Sequence, residues 1–170
     1  CVSNSSIVEI NGMLVFLAED GVYSFNGVEV SKLSAAIDDV IRRITPGFRK
    51  WTVGAHWRKY NCYLLTVPVD GSDRNSLVLV YDYKRGAWWI WDNVVAVNWL
   101  VDEGLYDEQT IYFFDYSGQL YQLGVGDTDA GEATTSYVTL HRVGDDEDDD
   151  RVTKELREVS IRGEHIDISS

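Results

Sequence analysis

The chain has 170 residues, 45% of them apolar and 25% charged, a composition that belongs to a folded globular domain and excludes a disordered chain. Fifteen Lys and Arg stand against 28 Asp and Glu, a formal net charge of -13. That balance argues against wrapping a phosphate backbone, where affinity rests on basic side chains that release counterions. No apolar run reaches the ~18 residues of a membrane-spanning helix. Residues 1–12 lack the basic start and apolar stretch of a signal peptide. The chain opens on Cys1 and enters directly on a strand-like pattern, so it is expected to be a piece of something longer.

Aromatic residues make up 12% of the chain, with six Trp and ten Tyr, which suits sheets and interfaces better than helix bundles. In chain order the dominant signal is a recurring unit: an apolar strand, a turn with a polar residue and Gly, and a second strand rich in aromatics. Copies run over residues 13–28, 77–91 and 110–123, and each predicts a β-hairpin. Asp20-Gly21, Arg85-Gly86 and Ser117-Gly118 are expected to supply the positive-φ residue of a tight turn, and Asn26-Gly27 is a further strong turn. The wider gap between the first two copies calls for an insertion and an extra hairpin. Residues 57–67, with Tyr60, Tyr63, Leu65 and Val67, read as the extra strand, and 68–75 as the loop after it. Residues 94–101 read as another strand, and 104–109 as the turn beyond it.

The insertion carries the one helical pattern. Ile37, Val40, Ile41 and Ile44 fall at i, i+3, i+4 and i+7, a single apolar stripe suited to covering a sheet. Ser34 is positioned as its N-cap, Pro46-Gly47 as its stop, and Asp38 and Asp39 precede Arg42 and Arg43 in the order that favours i,i+4 pairing. Together these features predict an all-β fold of β-propeller-like antiparallel blades, with one short inserted helix near 34–45 and a C-terminal β-hairpin. Residues 1–124 form the blades. Residues 125–170 hold 13 acids against five bases and read as an acidic loop and a hairpin that leads to an adjoining β-domain. In that hairpin, alternating stretches at 134–143 and 152–162 flank six consecutive acids, Asp145 to Asp150. Between Lys32 and Lys59 lies the counterpart, a local charge of +5. It fits either a solvated face or a strip that docks on the acidic face of a neighbouring subunit.

The inventory for catalysis is thin, and no catalytic, cofactor-binding or metal-binding residue is assigned. His56, His141 and His165 stand in no nucleophile pattern, and each reads as a strand or surface residue. Cys1 and Cys62 form no zinc spacing and read as unrelated thiols, Cys62 within a strand. Residues 126–132 offer Asp127, Asp129 and Glu132 with Gly131 at a turn, but lack the remaining ligands of a calcium loop and read as an acidic turn. Trp88, Trp89 and Trp91, with Trp57 and Trp99, fit either a sugar platform or packing between sheets. Strand alternation places Trp89 and Trp91 on one face and Trp88 and Ile90 on the other, which favours packing.

Several of these segments resemble a known family. EDGVYSFNGVEVSKLS (residues 19–34) followed by an Ile-rich helix is similar to a blade of the structural tail proteins of short-tailed bacteriophages. YNCYLLTVP (60–68), LVYDYKRGAWWIW (79–91), TTSYVT (134–139) and KELREVSIRG (154–163) resemble further pieces of the same pattern. The resemblance implies a tail nozzle, hub or tube protein. Such a protein is a non-enzymatic subunit that assembles with itself as a ring, expected to be a hexamer, beneath the portal and adaptor of the virion. Double-stranded DNA passes transiently through its centre, with no membrane partner and no cofactor. Acidic walls would let phosphates slide without sticking. The chain is shorter than a complete nozzle protein and holds three to four blades. The alternatives are a carbohydrate-binding or glycoside-cleaving β-propeller, and a secreted propeller stabilised by calcium.

Overall fold

The structure is a computed structural model. It describes residues 1–92, 94–104 and 109–124 together with the backbone of 128–129 and 132–133. The chain divides into two compact units, Cys1–Thr134 and Thr135–Ser170. The described residues all belong to the first. The hairpin expected at 134–162 and its acidic run lie outside them.

The first unit is built from antiparallel sheets. β1 (Val8–Ile10), β2 (Met13–Leu17), β3 (Val22–Phe25) and β4 (Val30–Lys32) form a four-stranded meander. β5 (Val53–Trp57), β6 (Cys62–Val67), β7 (Leu77–Asp82) and β8 (Ala87–Trp91) form a second meander of the same order. A third sheet holds β9 (Asn98–Asp102), β10 (Thr110–Phe114) and β11 (Leu120–Gln122). The short β12 (Thr128–Asp129) and β13 (Glu132–Ala133) pair with each other. The fold is therefore all-β with little helix. None of these sheets closes on itself.

The middle sheet is buried on both faces, which explains why β6 and β7 read as continuous apolar runs instead of alternating ones. One face presents Tyr63, Leu65, Val67, Leu77 and Leu79 to Ile10, Val15, Leu17 and Val22 of the first sheet. The other presents Ala55, Trp57, Cys62, Leu64, Val78 and Val80 to Trp99, Ile111 and Phe113 of the third. A hydrogen bond crosses each junction. The Tyr63 hydroxyl donates to the Ser6 carbonyl at 2.7 Å, and Trp99 Nε1 donates to the Val53 carbonyl at 3.3 Å. Burial drives the Tyr63 phenol pKa far up, so the hydroxyl stays a donor.

The hairpins expected at all three repeats are present, with corrections in detail. Residues 57–67 are not one strand. Trp57 ends β5, a 3-10 turn spans Arg58–Tyr60, and Asn61 takes φ 58 to reverse the chain into β6. Asn tolerates that left-handed geometry because its short side chain hydrogen-bonds locally, but no Gly marks the turn. The strand expected at 94–101 begins only at Asn98. Gly27, Gly86 and Gly118 have positive φ as expected, whereas Gly21 does not. Gly21 is needed for space instead, since a Cβ there would sit 2.6 Å from Lys32 Cε and from Ser34 Oγ.

The repeat itself shifts by one hairpin. The turns built alike are those after β3, β7 and β10. Asn26 Oδ1 accepts from the backbone N–H groups of Val28 and Glu29, Asp82 Oδ1 from those of Lys84 and Arg85, and Asp115 Oδ1 from those of Ser117 and Gln119. Each is an Asx-type turn in which the side chain imitates a backbone acceptor. The equivalent strands thus begin at Val22, Leu77 and Thr110. With the inserted segment between β4 and β5 set aside, their spacing becomes nearly even.

That insertion is less helical than its periodicity predicts. A 3-10 turn, Ala35–Ile37, leads into α1 (Asp38–Arg43), and a second 3-10 stretch, Pro46–Trp51, follows. The apolar stripe is as expected, with Ile37, Val40, Ile41 and Ile44 all in the core with the first two sheets. Ser34 is not a side-chain cap. It is fully buried, and its hydroxyl accepts from the Val22 N–H at 3.0 Å, tying the insertion to the start of β3. The ion pairs also differ from the i,i+4 expectation. Lys32 reaches Asp38 at 3.0 Å and Arg43 reaches Asp70 at 2.6 Å, because tertiary partners lie closer than the neighbours along so short a helix.

The chain packs tightly around Gly54, where a Cβ would lie 2.9 Å from the Ser6 carbonyl, from Val8 Cγ2 of the first sheet and from Tyr63 Cε2 on the adjacent strand. Gly54→Ala should therefore destabilise the unit by about 1–3 kcal/mol, the range for overpacking a closed interior. Equilibrium urea unfolding checks it, and an unchanged midpoint would show that the two sheets part freely there.

Candidate functional site

The residues nominated from sequence are spread through the unit. His56 lies on β5, its Nε2 3.1 Å from the Tyr83 hydroxyl, and that hydroxyl donates to Asn61 Oδ1 at 3.4 Å. Burial lowers the His56 pKa, and the Arg58 charge lowers it further. Gln109 closes the same corner: its Nε2 donates to the His56 carbonyl at 2.9 Å and its Oε1 accepts from the Arg58 N–H at 2.7 Å. Arg58 is ion-paired with Glu103. These groups join the β5–β6 turn to the third sheet, and Gln109 was not singled out by sequence because a lone Gln carries no pattern. His141 and His165 lie outside the described residues.

Both cysteines are free thiols. Cys62 is buried, with Sγ donating to the Tyr60 carbonyl at 3.2 Å, and burial raises its pKa, which leaves it inert as a nucleophile. Of the acidic turn at 126–132, Asp129 and Glu132 are backbone partners in the β12–β13 ladder. Asp127 and Gly131 lie outside the described residues. Among the described residues no three His, Cys, Asp or Glu side chains gather as a metal site.

The tryptophans divide as strand alternation predicts. Trp88 packs towards the first sheet and its Nε1 donates to the Leu33 carbonyl at 3.0 Å, while Trp91 meets the Trp57 ring edge-on at 6.2 Å. Trp89 and Ile90 stay exposed at the outer strand β8. The basic strip is largely spoken for within the chain. Lys32 faces Asp38 and Asp20, Arg43 faces Asp70, Arg58 faces Glu103, and Arg49 donates to the Glu19 carbonyl. Lys50 and Lys59 lie over the rings of Trp51 and Tyr60 at 5.1 and 5.5 Å. An open cleft of about 650 Å³ beside Arg49 is lined by Val2, Glu19, Asp20, Pro46 and Lys50, a set of mixed sign.

What remains is surface. Register and alternation place Leu14, Phe16, Tyr23, Phe25 and Val30 on the outer face of the first sheet. They place Leu100, Tyr112, Phe114 and Leu120 on the outer face of the third. Sequence reading missed both faces, because alternation alone does not say which side of a strand is covered. Both faces are mixed: Glu9 and Lys32 share the first with its apolar residues, and Asn98, Asp102, Thr110 and Gln122 share the third. Comparison with known proteins adds no identity: neither a protein-family model nor a curated protein matches the chain.

The His56 corner generates a pH dependence. Its folded pKa lies below the ordinary value near 6.5, so the unfolded chain takes up the proton first as pH falls. The stability it contributes is complete above about pH 6.5 and is lost as pH drops from there through the depressed folded value. In thermal melts from pH 8 to pH 5, His56→Gln should flatten part of the decline seen in the wild-type chain. Superimposable profiles would remove His56 as the titrating group.

Proposed function

We propose that this chain is a structural subunit of the tail of a short-tailed bacteriophage, a component of the nozzle, hub or tube that assembles as a ring around the DNA exit channel. Its sheets are read as successive blades of a propeller. The observation that carries the reading is the segment 19–34. The residues that resemble the tail-protein blade fold as one piece, β3 and β4 joined at Asn26-Gly27, and continue through buried Ser34 into the stripe that seals two sheets. The stacking favours the same reading. Each junction is closed by large apolar side chains, so the chain's investment is in rigidity, while its outer faces are left for neighbours. Ring neighbours, the portal and adaptor, and passing double-stranded DNA are the partners of such a subunit. The net charge of -13 suits a wall past which phosphates move without being held.

A carbohydrate-binding propeller is the second reading, favoured by Trp89, whose ring stands exposed on β8 beside Ile90. Glycan-array binding that vanishes in Trp89→Ala would support it, and an inert array would dismiss it.

The tail reading is tested on particles. Antibodies against the chain should label the tail of purified virions of the phage that encodes it, below the junction with the head. Virions that contain none of the chain by mass spectrometry would overturn the reading.

A further inference from the structure

The chain holds two Asn-Gly pairs, Asn11-Gly12 and Asn26-Gly27, both exposed and both at hairpin turns. Asn followed by Gly carries a latent reaction of its own. The backbone nitrogen of the Gly can add to Cγ of the Asn side chain, because the Gly has no Cβ to hinder the approach. A five-membered succinimide closes as the Cγ–Nδ2 bond breaks and ammonia leaves. Water then opens the ring at either carbonyl, which gives Asp or isoaspartate. The reacting groups sit on adjacent residues, so orientation within the turn decides whether the step runs.

The two turns treat this chemistry in opposite ways. Between the paired Ile10 and Met13, Asn11 and Gly12 both have positive φ, 52° and 79°. A two-residue loop with positive φ at both positions is a type I′ turn, whose first residue has a ψ of roughly +30°. At that ψ the Gly12 nitrogen points away from the Asn11 side chain and cannot reach Cγ unless the turn opens. The Gly12 N–H is also held, donating to Glu9 Oε1 at 2.6 Å. Asn26 lies outside the left-handed region. Its Oδ1 accepts from the N–H groups of Val28 and Glu29 at 2.9 and 2.8 Å. Two donors on that oxygen draw electron density from Cγ and stand where negative charge develops when a nitrogen adds, as oxyanion-hole donors do. Gly27 is unencumbered: a Cβ there would meet nothing within 4 Å, and among the described residues its N–H has no acceptor.

We propose that Asn26-Gly27 is a self-modification site of the folded chain, where Asn26 converts through a succinimide to Asp and isoaspartate, while the turn at Asn11-Gly12 keeps that pair intact. Hydroxide or water takes the Gly27 N–H proton, and the nitrogen electron pair forms the bond to Cγ. The charge that gathers on Oδ1 is met by the Val28 and Glu29 N–H groups. The side-chain nitrogen takes a proton from solvent and departs as ammonia, and a second water supplies the oxygen of the new carboxyl group. Either product puts a carboxylate at position 26 in place of a neutral amide. Isoaspartate also adds a methylene to the main chain between β3 and β4, which pulls the turn away from its Asx geometry. The inference is independent of what the chain assembles into.

Peptide mapping of the full wild-type chain, aged at physiological temperature and mildly alkaline pH, tests it without any substitution. Conversion at each site is read by mass spectrometry from the mass gained when an amide becomes an acid, and from the separation of the product peptide into Asp and isoaspartate forms. In the folded chain Asn26 should convert about tenfold or more faster than Asn11, and its rate should rise with pH as the Gly27 nitrogen is deprotonated. In the same chain unfolded in guanidinium the gap should close, because each site is then simply an Asn followed by Gly. Equal rates in the folded chain, a faster Asn11, or an Asn26 that reacts only after unfolding would overturn the proposal. A gap of the same size in the unfolded chain would overturn it too, since flanking sequence and not the turns would then set the rates.

Discussion

The middle sheet depends on being covered twice. Tyr63, Leu64, Leu65, Val67, Val78 and Leu79 have essentially no exposed surface, and successive residues face opposite neighbours. A strand of this kind cannot be stable alone, because burying either face leaves the other in water. The first and third sheets are thus not appendages: each supplies half of the environment that makes β6 and β7 strands at all. The inserted segment serves the same end. Ile37, Val40, Ile41 and Ile44 close the first junction where the strands alone do not reach.

Polar groups are spent on holding that stack in register. Ser34, Thr66, Asn75 and Asp82 are buried, and their bonds run to turns and to neighbouring sheets. Asn75 is a clear case: its Nδ2 donates to the carbonyls of Trp51 and Ala96 and to Thr66 Oγ1, linking the loop after β6 to the approach to β9. Asp82 is held ionised by the Arg85 guanidinium and by backbone N–H groups of its own turn, which keep its carboxyl below the usual range. Asp115 is lowered in a similar way, by Ser117 first and then by its turn amides. Carboxylates employed in this manner are turn braces, and their pKa values are set to stay charged, not to exchange protons near neutrality.

This economy gives the functional reading its character. Among the described residues, His56, Cys62 and Asp82 are tied to groups of the chain itself, while Leu14, Val30, Leu100, Phe114 and Leu120 lie exposed on the outer sheets. The tail-subunit reading proposed above draws on that division of labour. The exposed Trp89 is the single aromatic feature on β8 that points elsewhere.

Much of the fold was legible in the sequence, because strands, hairpins and an apolar helical stripe are local patterns. Alternation placed Trp88 and Trp91 on opposite faces, and Gly27, Gly86 and Gly118 announced their turns. What local pattern could not carry was anything decided by distance in space. The αL turn at Asn61 has no glycine to signal it, Gly21 is required by Lys32 and Ser34 folded over it, and Ser34 bonds β3 instead of capping a helix. The repeat register was also set by tertiary structure, since only the finished turns show Asn26, Asp82 and Asp115 in the same role. Above all, the sequence determined that apolar side chains alternate along each strand, while which side is covered and which is left open follows from the order in which three sheets stack. Burial is a property of neighbours that chain position does not encode.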